Sequence, residues 1–131
     1  MGLVLDSSAW IEWFVDGERA ADVEAVFAPG VEILVPTLVV HEVHKWLARN
    51  VGEETADAVA GLLRDQTVVL LDISVALLAS DLGRALKLST ADAIVLAHAQ
   101  REGIDLVALD HAFEGVPGVR YFPKGGRRGT M

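Results

Sequence analysis

Hydrophobic residues form short continuous runs in this chain, and the runs alternate with stretches in which apolar positions recur every three to four residues. Continuous runs are typical of strands buried on both faces of a parallel sheet, and here they cover residues 3–5, 32–35, 68–71, 106–109 and 119–122. The intervening pattern predicts helices over residues 7–15, 18–28, 37–50, 53–66, 74–86 and 89–101. This alternation predicts the α/β class: a single three-layer α/β/α domain with a central parallel sheet of about five short strands.

Residues that interrupt regular structure set several predicted boundaries. Pro29 and Gly30 end the second helix, Ser74 is predicted to cap the fifth, and Gly103 stops the last. We expect residues 1–123 to form the domain and residues 124–131 to be a disordered basic tail.

Composition narrows the class of protein. With 131 residues, 52% of them hydrophobic, the chain can bury a substantial core and retain some surplus apolar surface. It has no Cys, which excludes disulfides and thiolate metal sites. No apolar run reaches the ~18 residues of a membrane span, and the first residues lack the basic region of a signal peptide. We therefore expect a cytoplasmic location and no membrane partner.

The net charge of −8 has the wrong sign for general nucleic-acid binding. Any such role requires local basic patches or metal ions that reverse the sign of an acidic pocket. Lys45, Arg49, Lys87 and Arg101 are the candidates for local phosphate contacts, and ordinary surface charge is the alternative for each.

Aspartates follow three of the predicted strands. Asp6 comes directly after the first strand, Asp72 after the third and Asp110 after the fourth. In open parallel sheets, ligands bind at the edge formed by the carboxyl ends of the strands. We therefore expect these carboxylates at such an edge.

A further acid lies within a predicted helix, in the segment TLVVHEVHKWLARN. Glu42 is four residues from both Leu38 and Trp46, so the three side chains share one face. A charge between two apolar side chains is costly unless something binds it. The alternative is a surface ion pair between Glu42 and Lys45.

Each remaining acid also has a local explanation when it is taken alone. Asp92 forms an S-x-x-D capping box with Ser89. Asp6 precedes a helix that it can cap, and Asp110 precedes a turn. Taken together, the four acids have a second explanation, because a parallel sheet can bring Asp6, Asp92, Asp110 and Glu42 to one edge.

A divalent cation would reconcile four carboxylates in one small cavity, because unpaired like charges raise one another's pKa. Mg²⁺ or Mn²⁺ prefers oxygen ligands and retains several waters. Such an ion activates water and stabilises the leaving oxygen of a phosphodiester. We expect Ser7 or Ser8 to hydrogen-bond a carboxylate or a bound water, with helix capping as the alternative.

Four segments stand in a specific order along the chain: LVLDSSAWIEWF, PTLVVHEVHKWL, LSTADAIVLAHA and LVALDHAF. In order and spacing they resemble the PIN-domain ribonucleases, most closely the VapC-type toxins of bacterial toxin–antitoxin pairs. The resemblance covers residues 3–122. It implies a PIN-like parallel sheet in which the first strand is central and lies beside the fourth, which agrees with Asp6 and Asp110 meeting.

The resemblance also implies a function: a Mg²⁺- or Mn²⁺-dependent endoribonuclease that acts as the toxin of a type II pair. It implies an RNA substrate, a cognate antitoxin and a homodimer as partners. Carried over to this sequence, the family's metal ligands fall on Asp6, Glu42, Asp92 and Asp110. The hydroxyl residues beside the site fall on Thr90 and Ser7.

This chain departs from the family in LVALDHAF. The family often shows T-x-D-x-D-F there, whereas Ala108 and Ala112 occupy the Thr and second Asp positions. The departure leaves the number of metal ions open. It also supports an alternative, a catalytically inactive PIN-like binding module.

Three other interpretations compete. His41 and His44 in HEVH suggest a zinc protease, but the two histidines are three apart where a zincin needs four. A serine with His98 suggests a hydrolase triad, but the chain has no G-x-S-x-G elbow. Asp72 with Lys124 suggests a phosphoacceptor signalling domain, but Asp6 has no adjacent second acid.

The helix after Asp6 carries more apolar residues than one stripe requires. Trp10, Trp13 and Phe14 share one face, and Ile11 and Val15 lie on another. Either both faces are buried in the domain, or one face binds an antitoxin segment or a second copy.

Overall fold

A computed structural model describes residues 1–124 of the chain. A five-stranded, wholly parallel sheet lies at its centre, in the order β3-β2-β1-β4-β5. The strands are β1 Gly2–Leu5, β2 Glu32–Pro36, β3 Thr67–Val69, β4 Asp105–Ala108 and β5 Val119–Tyr121. The predicted α/β/α architecture is therefore confirmed. The predicted basic tail lies, from residue 125 on, outside the described residues.

Six helices connect and cover the strands: α1 Ser7–Phe14, α2 Ala20–Glu24, α3 Thr37–Asn50, α4 Glu53–Arg64, α5 Ile73–Leu86 and α6 Thr90–Glu102. Helix α3 packs against α1 and α4, and α5 packs against α6. A short 3₁₀ turn at His111–Phe113 follows β4. No helix within residues 1–124 combines the length and apolarity needed to cross a membrane.

Strand order follows from burial. Leu3, Val4 and Leu5 are at most 1% exposed, so β1 belongs at the centre of the sheet. Full burial of each such side chain contributes about 2 kcal/mol. Leu5 pairs with Val107 of β4, and the Asp6 N–H donates to the Val107 carbonyl at 2.9 Å. The chain segments that follow β1 and β4 therefore begin side by side.

The second helix is shorter than predicted. After Glu24 the backbone changes to three-residue turns, in which the Val26 N–H bonds the Val23 carbonyl and the Phe27 N–H bonds the Glu24 carbonyl. Val26 and Phe27 thereby enter the core cluster without continuing the helix. Tertiary packing decides this boundary.

The prediction that Ser74 caps the fifth helix is wrong. Strand β3 ends at Val69, and Leu70 and Leu71 have left the sheet, with exposures of 68% and 48%. Asp72 is the N-cap instead, because its Oδ1 accepts a hydrogen bond from the Val75 N–H at 2.9 Å. The cap predicted at Ser89 and the stop predicted at Gly103, whose φ is 66°, are both present.

The aromatic residues of α1 join a small cluster with α2. Trp10 is 4% exposed and stacks on Phe14, with ring centroids 5.9 Å apart, and Phe27 packs against it. Trp13 is half-buried, and its Nε1–H donates to Glu24 at 3.1 Å. Trp10 therefore belongs to the core, and only Trp13 and Phe14 retain surface that a partner can contact.

Candidate metal centre

Three carboxylates meet at the carboxyl edge of the sheet. Asp6 directly follows β1, Asp110 follows β4 by two residues, and Asp92 lies in the first turn of α6. One oxygen of each lies within 4.8 Å of one oxygen of both others. Within residues 1–124, this is the only group of three or more His, Cys, Asp and Glu side chains whose ligand atoms converge in this way.

Asp6 is the buried member of the group, with 3% exposure. Ser8 fixes its side chain: the Ser8 hydroxyl donates to Asp6 Oδ2 at 2.8 Å and accepts the Leu109 N–H at 3.0 Å. Ser8 thus links the segments after β1 and β4 across 101 positions of sequence. The pKa of Asp6 is raised from 3.8 to about 6. Burial is the largest cause, the Ser8 hydroxyl acts in the opposite direction, and the charges of Asp92 and Glu42 add to the rise.

Asp92 serves the helix and the site at once. Its backbone N–H donates to the Ser89 hydroxyl at 3.2 Å, so the predicted cap is formed. Its carboxylate is half-buried and faces Asp6 and Asp110. Burial raises the pKa of Asp92, and the charge of Asp110 raises it further, while a hydrogen bond with Ser89 lowers it. Capping and membership of the carboxylate group are therefore compatible.

Asp110 also combines a local and a tertiary role. Its Oδ1 accepts the Ala112 N–H at 3.0 Å and caps the 3₁₀ turn, as the turn explanation predicts. Phe113, in the same turn, is fully buried and anchors the segment. A recess of about 570 Å³ opens beside Asp110 and is also lined by His111, Tyr121 and Lys124.

Glu42 lies next to the three aspartates but outside their closest group. It is half-buried on α3, and burial is the first cause of its raised pKa. A hydrogen bond with Ser7 lowers the pKa of Glu42, whereas the charges of Asp92 and Asp110 raise it. The alternative ion pair with Lys45 is not formed within residues 1–124.

The structure does not bring Thr90 into contact with the carboxylates. Thr90 is exposed at the start of α6, and within residues 1–124 no hydrogen bond joins its hydroxyl to Asp6, Asp92 or Asp110. It lines a groove between α5 and α6 instead. Within residues 1–124, the hydroxyls that contact site carboxylates are those of Ser7, Ser8 and Ser89. The sequence ranked Ser7 above Ser8 only through the family resemblance.

Asp72 is separate from the other strand-end acids because β3 is an edge strand. Its Oδ1 caps α5, and its Oδ2 accepts from Arg101 at 2.6 Å. The hydrogen bonds from Val75 and Arg101 lower the pKa of Asp72. These bonds give Asp72 a structural role, which argues against the phosphoacceptor interpretation and removes Arg101 from the candidate phosphate contacts.

The histidines do not form the competing sites. His44 Nε2 lies 2.8 Å from Asp57 Oδ1 on α4, and His41 is exposed beside Glu42. His98 is buried in α6, where burial lowers its pKa and where its charged neighbours are Asp72, Arg101 and Glu102. Neither arrangement fits a zinc protease or a serine hydrolase.

The carboxylate group carries no compensating cation. In the described part of the chain, no Lys or Arg pairs with Asp6, Glu42, Asp92 or Asp110. Burying several carboxylates without a partner is unfavourable, as the raised pKa values of Asp6, Glu42 and Asp92 indicate. An all-oxygen donor set with this charge fits a hard divalent cation such as Mg²⁺ or Mn²⁺.

The family model that matches this chain is the PIN domain, over residues 3–119. The chain belongs to the PIN domain family. No curated protein matches it.

Solved structures of toxin–antitoxin proteins share this PIN fold. A toxin–antitoxin complex from Klebsiella pneumoniae matches with a TM-score of 0.73 and 23% identity, over 89% of this chain and 94% of that one. VapBC2 from Rickettsia felis, bound to a promoter DNA fragment, matches with a TM-score of 0.73 and 14% identity, over 93% and 99%. VapC20 from Mycobacterium tuberculosis, a sarcin–ricin loop cleaving toxin, matches with a TM-score of 0.68 and 22% identity, over 92% of this chain and 99% of that one. The fold of this PIN domain is therefore that of the VapC-type toxins.

Proposed function

We propose that this PIN domain is a metal-dependent endoribonuclease and the toxin of a type II toxin–antitoxin pair. The observation that carries the proposal is the convergence of Asp6, Asp92 and Asp110, with Glu42 beside them and no Lys or Arg of residues 1–124 paired with them. The sarcin–ricin loop cleavage named for a protein of the same fold supports RNA as the substrate.

The four carboxylates would hold Mg²⁺ or Mn²⁺, which supplies water activation and stabilisation of the leaving oxygen when bound. Ser8 holds Asp6 in one rotamer through its bond from the Leu109 N–H. Ser7 orients Glu42 through a hydrogen bond, so the carboxylate that lies outside the closest group is also held toward the site. Because Asp6 follows a fully buried strand, its oxygen position is fixed before substrate arrives.

An antitoxin is the proposed protein partner, and a second copy of the chain is the proposed subunit partner. Support for the antitoxin comes from the Klebsiella and Rickettsia structures, which are toxin–antitoxin structures. Trp13 and Phe14 are the half-buried aromatic residues of α1 that such a partner would contact. Trp10 is too deeply buried to serve as a probe of that surface.

Cleavage of a labelled RNA by the metal-stripped chain tests the proposal. We expect no cleavage with EDTA, recovery on addition of Mg²⁺ or Mn²⁺, and loss of recovery in Asp92→Asn. The Ser89 cap is retained in Asp92→Asn, because its donor is the backbone N–H of residue 92. Cleavage that persists in EDTA, or equal recovery in Asp92→Asn, would contradict the proposal.

A second candidate is an inactive PIN-like binding module. The observation that favours it is Ala112, which is exposed and offers only its backbone N–H to Asp110. RNA binding by the chain without cleavage under any divalent ion would favour this candidate over the nuclease.

A further inference from the structure

A groove of about 690 Å³ runs along α3 from the carboxylate site. We call it the α3 groove; residues of α3 and α6 line it, among them Glu42, Lys45, Trp46, Arg49, Asn50 and Ala91. Lys45 and Arg49 are four residues apart and so share one helix face, as do Glu42 and Trp46. A helix rises 1.5 Å per residue, so Trp46 lies about 6 Å along the axis from Glu42 and Arg49 lies about 10 Å from it.

The two cations of this groove lack the ion pair that four of the other seven Lys and Arg residues within residues 1–124 form. Four arginines of the described residues are paired with aspartates, namely Arg19, Arg84, Arg101 and Arg120. Lys45 and Arg49 have no such partner within residues 1–124, although the chain carries an excess of acids. Two unpaired cations beside an acidic site provide contacts for an anionic ligand that the rest of the surface repels.

Trp46 also lacks the kind of partner that the other two tryptophans have. Trp10 and Trp13 pack in the aromatic cluster with Phe14 and Phe27. Trp46 is 38% exposed, and no aromatic ring packs against it in the described residues. An exposed indole with no ring partner next to two unpaired cations is the combination that single-stranded nucleic acids bind, with bases on rings and phosphates on cations.

We propose that the α3 groove binds the single-stranded RNA that flanks the scissile bond. This inference rests on the proposed nuclease function. Trp46 stacks on a base about one nucleotide from the scissile phosphate, and Lys45 and Arg49 bind the backbone phosphates that continue along α3. Because a base must leave its own stack to reach Trp46, the groove selects unpaired RNA over a duplex.

Salt dependence tests the role of the cations. RNA binding is measured by fluorescence anisotropy with a labelled single-stranded oligonucleotide in the Asp6→Asn background, which prevents cleavage. Each phosphate contact on a single strand contributes about 0.7 to the slope of log K against log salt. We expect Lys45→Gln with Arg49→Gln to reduce the slope by about 1.4. Arg64→Gln, which removes an exposed and unpaired cation of α4, is the matched control and should leave the slope unchanged.

Substitutions of Trp46 give a second measurement, RNA affinity at an unchanged salt slope, which would not respond if Trp46 had only a structural role. Trp46→Ala should weaken single-strand binding about tenfold or more without changing the salt slope, and duplex binding should change less. Trp46→Phe should restore most of the affinity while removing the quenching of tryptophan fluorescence by RNA. An unchanged affinity in Trp46→Ala, or a salt slope equally reduced by Arg64→Gln, would overturn the proposal.

The same variants separate this inference from the proposed function. Cleavage by the wild-type chain with an unchanged KM in all groove variants would reject the groove and keep the nuclease. Loss of binding in the groove variants of a chain that cleaves no RNA would keep the groove and reject the nuclease. A change of oligomeric state in Trp46→Ala, seen by light scattering, would instead make the groove a contact between copies of the chain and reject it as an RNA site.

Discussion

Asp72 and Asp110 occupy equivalent positions in the sequence and opposite environments in the fold. Each follows a strand, and each caps the helical turn that comes next. Asp72 then accepts a bond from Arg101 at 2.6 Å, whereas Asp110 faces Asp6 and Asp92 and forms no ion pair with a Lys or Arg of residues 1–124. Strand order causes the difference, since β3 lies at the edge of the sheet and β4 lies beside the central β1.

The pKa values of the carboxylates separate the two environments. Hydrogen bonds from Val75 and Arg101 lower the pKa of Asp72, and burial with unpaired neighbours raises the pKa of Asp6 and Asp92. A carboxylate that the chain itself neutralises has a structural role. Carboxylates that residues 1–124 bring together without neutralising them are compatible with a bound cation from outside the chain.

Catalysis should separate the two kinds of aspartate most strongly. Asp6→Asn keeps the shape of the side chain and removes a ligand charge, so RNA cleavage in Mg²⁺ should fall by about a thousandfold or more. Asp72→Asn, the matched control, should cleave within a few-fold of the wild-type rate. Rates are measured under single-turnover conditions with a labelled RNA. Equal losses of cleavage rate in the two variants would contradict the distinction between site carboxylates and a structural Asp72.

Without metal, Asp6→Asn and Asp72→Asn should change the free energy of unfolding in opposite directions. The pKa of Asp6 is about 6 in the folded chain, whereas an unperturbed Asp, the reference for the unfolded chain, has 3.8. The folded chain therefore holds an extra proton between these values, and its free energy of unfolding falls as pH rises from about 4 to about 6. A shift of this size costs about 3 kcal/mol above pH 6, and Asp6→Asn should remove much of that cost.

Urea unfolding in EDTA at pH 4, 5, 6 and 7.5 measures this effect. The wild type should lose stability across the interval and Asp6→Asn should lose less. Asp72→Asn should instead lower the free energy of unfolding at pH 7.5, because the unmodified carboxylate has a lowered pKa and stabilises the fold above its unfolded pKa. A destabilised Asp6→Asn at pH 7.5 would contradict the expected cost of the buried, ionised Asp6 carboxylate.

Metal affinity should rank the site carboxylates. Asp110 already uses Oδ1 to cap the 3₁₀ turn, whereas Asp6 is buried and held by Ser8. We expect Asp110→Ala to weaken Mn²⁺ binding and cleavage less than Asp6→Ala does. Calorimetric titration of Mn²⁺ into both variants decides the order. A larger loss in Asp110→Ala would make Asp110 the principal ligand.

The smallest effect should come from Arg101. Its ion pair with Asp72 is partly exposed, with side-chain exposures of 33% and 53%, and pairs that water reaches contribute little to stability. Arg101→Gln should lower Tm slightly and leave cleavage and Mn²⁺ binding unchanged. A clear loss of cleavage in this variant would indicate that Arg101 contacts RNA. The contrast between a structural Asp72 and a functional Asp110 would then no longer hold.

The sequence by itself determined the features that depend on local chemistry. Buried strands follow from continuous apolar runs, such as residues 3–5, and the ends of α6 follow from the cap at Ser89 and the glycine at position 103. The sequence also predicted that acids after parallel strands approach one edge. Helix periodicity placed Glu42 on an inward face, family resemblance assigned it as a ligand, and the structure places that carboxylate near the other three.

Only the tertiary structure decided which acids belong together and which residues hold them. Asp72 and Asp110 carry the same local signal, and only the position of their strands in the sheet separates them. Ser8 and Leu109 are far apart in sequence, so their bond at 3.0 Å is a product of the pairing of β1 with β4. The Asp72 cap and the absence of a Glu42–Lys45 pair depend on backbone and side-chain geometry that spacing does not specify. Local patterns fix elements because their forces act within one turn, whereas the site is set by distances between elements that only the packed core defines.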